Sequence, residues 1–178
     1  MADLLLIIAQ AFFFIFPAYV ANASAALFGG SGRTPIDMGR KWMDGKALFG
    51  HGKTWQGFLA GVFFGTVTGN VIGALALSTE FGFGSSLAWY TALGFLVSFG
   101  ALMGDLFKSF LKRRASLQVG HRLWIVDQLD FVVGALVFGS VLYVPSWDAI
   151  ALMLVATPAI HLGVNWIAWK LKIKKVPW

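Results

Sequence analysis

The fourteen Lys and Arg residues of this chain fall into three clusters, and this distribution restricts the fold more than any other feature. The apolar stretch before the first cluster is long enough to cross a bilayer once, and each stretch between consecutive clusters can cross it twice. Because cationic loops stay on the cytoplasmic side during insertion, we predict five transmembrane helices, an external N-terminus and a cytoplasmic C-terminus. The clusters are Arg33, Arg40, Lys41, Lys46 and Lys53, then Lys108, Lys112, Arg113, Arg114 and Arg122, then Lys170, Lys172, Lys174 and Lys175.

Composition excludes a water-soluble globular domain. Hydrophobic residues make up 58% of the 178 residues and the mean hydropathy is +0.74, which leaves too little polar surface to cover a globule in water. We therefore predict a single-domain, all-α integral membrane protein in the cell membrane, with both cytoplasmic loops forming its active site. The predicted helices span residues 4–28, 54–77, 87–107, 124–144 and 148–169, and the predicted cytoplasmic loops span residues 29–53 and 108–123.

The second predicted helix carries a glycine at every fourth position. This spacing places a stripe almost without side chains along one helical face, which lets another helix approach closely. We favour tight packing within the chain, while a lipid groove or the seam of a homodimer is the alternative. The glycines are Gly57, Gly61, Gly65, Gly69 and Gly73.

Three aspartates lie near the cytoplasmic ends of predicted helices, where a charged side chain is expensive and therefore informative about function. Asp105 ends the third helix, and Asp127 and Asp130 begin the fourth, three positions apart and hence on one face. Since the chain has no cysteine, any metal must be held by oxygen or imidazole, and we predict a Mg²⁺ site. The alternative is a pair of salt bridges, Asp105 with Lys108 and Asp127 with Arg122.

The first cytoplasmic loop combines flexible backbone with positive charge, which suits phosphate oxygens. Its polar segments include Asp44-Gly45-Lys46 and Gly50-His51-Gly52-Lys53-Thr54. No Walker A spacing is present, so a soluble type of nucleotide-binding fold is not expected. Membrane topology and attraction to anionic lipid headgroups account for most of the loop charge whatever the function.

The run from Gly104 to Asp130 resembles the signature of membrane CTP-dependent cytidylyltransferases that make CDP-diacylglycerol. It contains Gly104-Asp105-Leu106-Phe107-Lys108, then Gly120-His121, then Asp127-Gln128-Leu129-Asp130. Lys53-Thr54-Trp55-Gln56-Gly57 also resembles the start of a helix in that family.

Where the chain departs from that signature, its residues resemble those of the archaeal branch of the family, the CDP-archaeol synthases. Arg122 follows Gly120-His121 in place of a Gly-Gly pair, Gln128 replaces an arginine, and the chain is short. Asn22 in an Ala-Asn-Ala context and the Pro35-Ile36-Asp37 turn are also features of that branch. The resemblance covers the chain from Asn22 to about Gly134.

This resemblance implies a reaction of CTP with an isoprenoid glycerol ether-lipid phosphate, 2,3-bis-O-geranylgeranylglycerol 1-phosphate. The products are the CDP-lipid and pyrophosphate, the cofactor is Mg²⁺, and the other partners are membrane lipids. No nucleic-acid partner is expected. We predict that Asp105, Asp127 and Asp130 bind the metal, that Asp127, Asp130 and Lys53 are catalytic, that Lys46, Gly52, Lys53 and Thr54 bind the nucleotide, and that Arg33, Lys112 and Arg113 bind the lipid phosphate.

Three other functions are weighed against this one. An ion-coupled transporter also buries aspartates, but such sites usually lie near the bilayer midplane. A CDP-alcohol phosphotransferase would need Asp-Gly-x-x-Ala-Arg, and Asp44-Gly45 is followed by Lys46-Ala47. The third alternative is a membrane scaffold without catalytic activity, which would not bind nucleotide.

Overall fold

The computed structural model describes residues 2–30, 33–117, 126–170 and 172. These residues form no β-strand and contain two isolated bridges, Pro35 with Thr54 and Lys41 with Ala47. The prediction of an all-α fold with five helices is therefore confirmed. The helices are α1 (Ala2–Phe28), α2 (Trp55–Leu77), α3 (Leu87–Arg114), α4 (Val126–Gly139) and α5 (Trp147–Lys170).

Helices α1, α2 and α3 are each long and apolar enough to cross a membrane, so the protein is a multi-pass membrane protein. In the described part of α5 the apolar helical stretch is shorter, Trp147–Ile160. The described part of helix α4 has 14 residues and is about 21 Å long, which is less than a hydrocarbon core of about 30 Å. Five crossings and their orientation stay a prediction.

Two helix boundaries differ by more than two residues from those expected. Helix α3 continues to Arg114, so residues 108–114 are helical rather than loop, and three cations in its last turn interact favourably with the helix dipole. Helix α4 ends at Gly139 instead of residue 144, because the chain then turns with Tyr143 N–H donating to the Gly139 carbonyl at 3.0 Å. The longer α3 carries Lys108 and Lys112 along one helical face, four positions apart.

The glycine stripe of α2 is buried against two neighbouring helices. A Cβ on Gly61 would lie 2.7 Å from the Ala21 carbonyl oxygen of α1, and one on Gly69 would lie 2.5 Å from Gly94 Cα of α3. No side chain fits at these separations, so backbone packs directly on backbone. The predicted tight packing within the chain is confirmed, and the stripe is not available as a lipid groove or a dimer seam.

Helices α3 and α4 cross in the same way. Gly100 and Gly134 pack backbone to backbone, and Gly104 touches the Asp130 carbonyl. The apolar core beside this crossing includes Phe14, Val97 and Phe131 and joins α1, α3, α4 and α5. This packing holds the C-terminal end of α3 beside the N-terminal end of α4, where the three predicted aspartates lie.

Candidate active site

The three aspartates converge on one ammonium group. Lys108 Nζ lies 2.6 Å from an Asp130 oxygen, 3.2 Å from an Asp105 oxygen and 3.4 Å from an Asp127 oxygen. The Asp130 side chain is only 6% exposed. Sequence analysis predicted the aspartates together but assigned Lys108 only to an alternative salt bridge. The observed salt bridge with Asp105 is therefore one part of a cluster that Lys108 bridges.

Two further lysines reach the cluster from different sides. Lys53, from the loop before α2, pairs with Asp105, and Lys112, one turn after Lys108, pairs with Asp127. Three carboxylates are thus matched by three ammonium groups. This balance makes the burial tolerable, because each carboxylate has at least one ammonium partner at salt-bridge distance. A phosphorylated ligand entering here would compete with carboxylates for lysines already in position.

The loop that carries Lys53 is organised by Asp37, whose side chain is 4% exposed. Its carboxylate accepts hydrogen bonds from the backbone N–H of Gly39, Phe49 and Gly50 at 2.9 to 3.0 Å. The Ile36 N–H donates to the Lys53 carbonyl at 2.8 Å, which ties both ends of the loop together. Asp37 therefore fixes the approach of Lys53 to the aspartates.

The carboxyl of Asp37 is held in its charged form. Burial acts to raise its pKa, but the hydrogen bonds from Gly50, Phe49 and Gly39 and the proximity of His51 together lower the pKa below its ordinary value of 3.8. Asp37 is ionised at neutral pH, and the loop depends on that charge. Sequence analysis noted the turn around Asp37 but assigned this residue no role.

Arg114 attaches the first loop to the end of α3. Its guanidinium donates to an Asp44 oxygen at 2.7 Å and to the carbonyl oxygens of Lys46 and Ala47 at 3.3 and 2.5 Å. It also lies over the Phe110 ring, 4.8 Å from the centroid. Sequence alone could not identify this role, because nearly seventy residues separate the partners.

Lys46, predicted to bind the nucleotide, is engaged at the end of α3. Its ammonium donates to the Arg114 carbonyl at 3.1 Å and to the Ser116 hydroxyl at 2.6 Å. These contacts satisfy a carbonyl that the helix leaves without an intrahelical partner. Lys46 thus caps α3 and strengthens the attachment that Arg114 makes.

A cavity of about 190 Å³ adjoins the cluster on the side of α1 and α2. Gly52, Lys53 and Thr54 line it together with Asp105 of α3, and Asn22 of α1 faces it. Thr54 also has a structural role, since it is buried, accepts from the Gly57 N–H at 3.3 Å and thereby caps α2. The structure thus brings three of the predicted nucleotide-binding residues to one cavity.

The remaining predicted residues lie around this centre. Arg33 is exposed on the first loop, and Arg113 is half-buried near the end of α3. The signature residues Gly120, His121 and Arg122 lie outside the described residues. Of the seven residues expected to bind phosphates, Lys53 and Lys112 contact the aspartates directly.

The sequence profile of the CarS-like CDP-archaeol synthase family matches residues 3–178. The chain belongs to this family.

Relatives named CDP-archaeol synthase match the chain over nearly its full length. The one from Archaeoglobus fulgidus is 43% identical and covers 100% of both chains. The one from Thermococcus kodakarensis is 48% identical over 94% of this chain and 95% of its own. The one from Methanocaldococcus jannaschii is 42% identical over 93% of this chain and 94% of its own. CDP-archaeol synthases are cytidylyltransferases, so these relatives do not support the transporter alternative.

The fold is also similar to a solved structure of an intramembrane enzyme for archaeal membrane lipids biosynthesis. The TM-score is 0.76 at 34% sequence identity, and the match covers 87% of this chain and 92% of the other. The fold of this CDP-archaeol synthase family member is therefore similar to that of an intramembrane enzyme.

The donor chemistry of the cluster fits Mg²⁺. Among the residues that the structure describes, no three acidic, His or Cys side chains are arranged to hold a metal by themselves. Mg²⁺ does not require such a set, because one or two carboxylates with substrate phosphates usually suffice. Lys108 Nζ already marks a point where a single cation is shared by Asp105, Asp127 and Asp130. Asp105, Asp127 and Asp130 would be the residues to hold the metal, with Lys108 turned toward a substrate phosphate.

Proposed function

We propose that the chain transfers the cytidylyl group of CTP to an isoprenoid glycerol ether-lipid phosphate, forming CDP-archaeol and pyrophosphate. The observation that carries the proposal is the convergence of three carboxylates and three lysines at one end of α3 and α4. Membership in the CDP-archaeol synthase family supports the reaction class. The proposed lipid substrate is 2,3-bis-O-geranylgeranylglycerol 1-phosphate. Its CDP-linked product is an activated precursor of membrane phospholipids.

In the proposed step, an oxygen of the lipid phosphate attacks the α-phosphorus of CTP. A new oxygen–phosphorus bond forms as the bond from the α-phosphorus to the oxygen bridging it to the β-phosphorus breaks, and pyrophosphate leaves with that electron pair. The attacking phosphate is already anionic at neutral pH because its second pKa is about 6. The site therefore needs charge neutralisation and in-line placement rather than a strong base.

The residues divide this work by position. Lys53 and Gly52, with the helix cap Thr54, face the cavity beside Asp105 and are proposed to hold the nucleotide phosphates. Lys112, with Arg113 and Arg33, is proposed to receive the lipid phosphate. Lys46 would support the nucleotide through the loop that it fastens to α3.

Mg²⁺, which Asp105, Asp127 and Asp130 are proposed to hold, would neutralise charge on the α-phosphate and departing pyrophosphate. Lys108 is proposed to keep these carboxylates together before the substrates arrive. Its ammonium would then turn to a phosphate oxygen, which maintains the charge balance of the cluster. Asp127 and Asp130 thus act together with Lys53 as the catalytic residues.

We further propose that the chain crosses the cell membrane five times, with the N-terminus outside and the cluster at the cytoplasmic face. The distribution of Lys and Arg supports this orientation. CTP is a cytoplasmic metabolite, and this orientation would give it direct access to the cluster. A cysteine-accessibility map of the loops tests the topology, because the chain has no cysteine of its own.

The reaction is tested with purified protein, Mg²⁺, radiolabelled CTP and the isoprenoid lipid phosphate. The expected product is a labelled CDP-lipid with one pyrophosphate released for each lipid converted. ATP, dCTP and a diacyl phosphatidate define the specificity. Absence of a labelled lipid under these conditions would contradict the proposed function.

The same assay on the Asp127→Asn variant tests whether the aspartate cluster is needed for the reaction. We expect activity to fall about 100-fold or more, as for loss of a group that stabilises transition-state charge. Asp148→Asn, at the exposed start of α5, is the control and should stay within about twofold of wild type. Asp127→Asn activity within about tenfold of wild type, a difference of about 1.4 kcal/mol in the barrier, would exclude a metal-ligand role.

A further inference from the structure

An apolar groove lies on the opposite side of the aspartate cluster from the nucleotide cavity. It runs between α3 and α4 and has a volume of about 800 Å³. Its size is in the range of small-molecule sites, which usually measure about 300 to 1,000 Å³. The role assigned to the nucleotide cavity leaves this groove without a function.

The groove results from how the two helices cross. Its floor includes Gly104 and Gly134, where α3 and α4 pack without side chains between them. Its walls are large apolar side chains that face outward from the helix pair, among them Phe107, Val133 and Val137. Because the small residues lie at the bottom and the large ones at the rim, the surface is concave along the helices.

The groove is charged at the level of the cluster, where Lys108, Lys112 and Asp130 line it. Apolar residues line it on both sides of this level, Met103, Val137 and Phe138 on one side and Leu111, Ala115 and Leu117 on the other. A ligand that fits this lining has an anionic group beside the lysines and a hydrocarbon chain that extends from them along the helices. Lys112 is paired with Asp127 and Lys108 with Asp130, so both ammonium groups are already directed toward the cluster.

We propose that one hydrocarbon chain of the lipid-phosphate substrate lies in this α3–α4 groove, with its phosphate held by Lys112 and Lys108. The assignment rests on the proposed function, and it deepens that function by giving each substrate its own side of the cluster. The lipid enters sideways from the bilayer between α3 and α4, and the nucleotide enters from the side of Lys53 and Asp105. The two phosphates then meet at the aspartates without the lipid chain leaving the membrane.

Charge complementarity and continuity with the site favour this occupant over a bulk lipid or a second copy of the chain. A zwitterionic lipid has a phosphodiester with one negative charge and a cation attached to it, whereas the phosphomonoester of the substrate carries nearly two negative charges at neutral pH. A second chain would cover the groove but would leave Lys108 and Lys112 without a phosphate. Both of these occupants are outcomes of the test below.

Filling the groove should impair lipid binding selectively. In Val133→Trp and Val137→Trp the indole would occupy the groove, since these side chains are 51% and 63% exposed along its wall. We expect the KM for lipid phosphate to rise at least tenfold in each variant, while the KM for CTP stays within twofold. Val71→Trp on α2 is the control, because Val71 is 55% exposed but does not line the groove. Equal lipid KM values in all three variants would overturn the proposal.

A binding measurement tests the groove independently of turnover. Wild-type protein is irradiated with an isoprenoid lipid phosphate that carries a diazirine on its chain, and labelled peptides are mapped. We expect labels on the groove walls of α3 and α4, with competition by unlabelled lipid phosphate but not by the matching isoprenoid alcohol. Labels elsewhere would overturn the proposal, as would equal competition by the alcohol or by a phosphocholine lipid. Dominant cross-links between two copies of the chain would overturn it as well.

The two experiments separate the groove from the reaction. Groove labelling without any CDP-lipid formation would contradict the proposed function and retain the lipid site. CDP-lipid formation with no effect of either tryptophan variant and no groove labelling would retain the function and reject the site.

Discussion

Two regions of this small membrane protein differ in how they pack. One is the seam, where the glycine stripe of α2 meets α1 and α3, and the other is the charged end, where the lysines and aspartates of the cluster meet. In the seam, the glycines of α2 meet backbone of α1 and α3 and side chains of α3 such as Tyr90, with no room for a side chain on α2. At the charged end, three lysines and three aspartates from the first loop, α3 and α4 contact one another. The seam fixes the relative positions of the helices, and the charged end supplies the groups proposed for catalysis. Substitutions in the two regions should therefore change different measured quantities.

The largest expected effect is on turnover at the charged end. Lys53→Met should lower kcat/KM about 100-fold, because Lys53 faces the nucleotide cavity and pairs with Asp105. Thermal stability should change little, since Asp105 keeps its contact with Lys108 at 3.2 Å. Activity and unfolding temperature are measured on the same preparation. Lys41→Met, in the same loop and exposed, is the control.

A comparable loss of activity in Lys41→Met would mean that the activity depends on the total positive charge of the loop and not on the position of Lys53. A large fall in the unfolding temperature of Lys53→Met would mean that the charged end carries stability as much as chemistry. Either outcome would break the division between the two regions.

The seam should give the reverse result. Gly69→Ala would place a Cβ 2.5 Å from Gly94 Cα, and overpacking of this kind destabilises by about 1 to 3 kcal/mol. The kcat of the folded fraction should stay within about twofold of wild type. Unfolding in detergent, followed by circular dichroism, measures the first effect and the nucleotide transfer assay measures the second.

Gly163→Ala is the matched control for the seam. Gly163 lies in α5, and a Cβ there would meet none of the described atoms within 4 Å. Its stability should be unchanged or higher, since alanine has a helix propensity better than glycine by about 1 kcal/mol. If both alanine variants lose the same stability, close backbone contact is not the reason for the glycine stripe.

A smaller effect is expected at Asp37, which belongs to neither region but positions Lys53. Asp37→Asn replaces an acceptor oxygen by a donor that faces backbone N–H groups, which destabilises the loop by about 1 to 3 kcal/mol. We expect the KM for CTP to rise several-fold with kcat less affected. An unchanged KM for CTP would show that the loop does not position the nucleotide site.

The pH dependence of the loop follows from the same carboxylate. Since the pKa of Asp37 in the native state lies below 3.8, its stabilisation is fully present above that value and is lost as the pH falls through the native pKa. Hydrogen-exchange protection of the Phe49 and Gly50 amides should be constant between about pH 8 and pH 5 and decrease only below about pH 4. Asp37→Asn should abolish this decrease. Loss of protection already at pH 6 in the wild type would contradict the assignment.

The smallest effect is expected at Arg114. Arg114→Lys keeps the charge but loses the planar fork that contacts Asp44, Lys46 and Ala47 together. We expect less than about 1 kcal/mol of stability to be lost and limited proteolysis of the first loop to accelerate. Arg40→Lys, an exposed position in the same loop, should leave proteolysis unchanged.

Much of the site could be predicted because its residues lie close together in sequence. Asp127 and Asp130 share a helical face through their spacing, and the convergence with Asp105 followed from equal depth in two helices. Lys108 was harder to place, because the predicted helix ended one residue before it. The continuation of α3 to Arg114 puts Lys108 and Lys112 on the face that meets α4. The spacing of four positions between Lys108 and Lys112 is typical of one helical face and could have identified them.

Hydropathy, charge distribution and the glycine repeat determined by themselves that this chain is a five-helix membrane protein with a closely packed second helix. These properties depend on local sequence, since bilayer thickness and backbone geometry act on each segment separately. Only the tertiary structure decided that Lys108 is shared by three aspartates, that Arg114 and Asp37 hold the loop, and that a groove opens between α3 and α4. Such contacts join residues far apart in the chain, and helix packing selects the partners that a buried charge obtains.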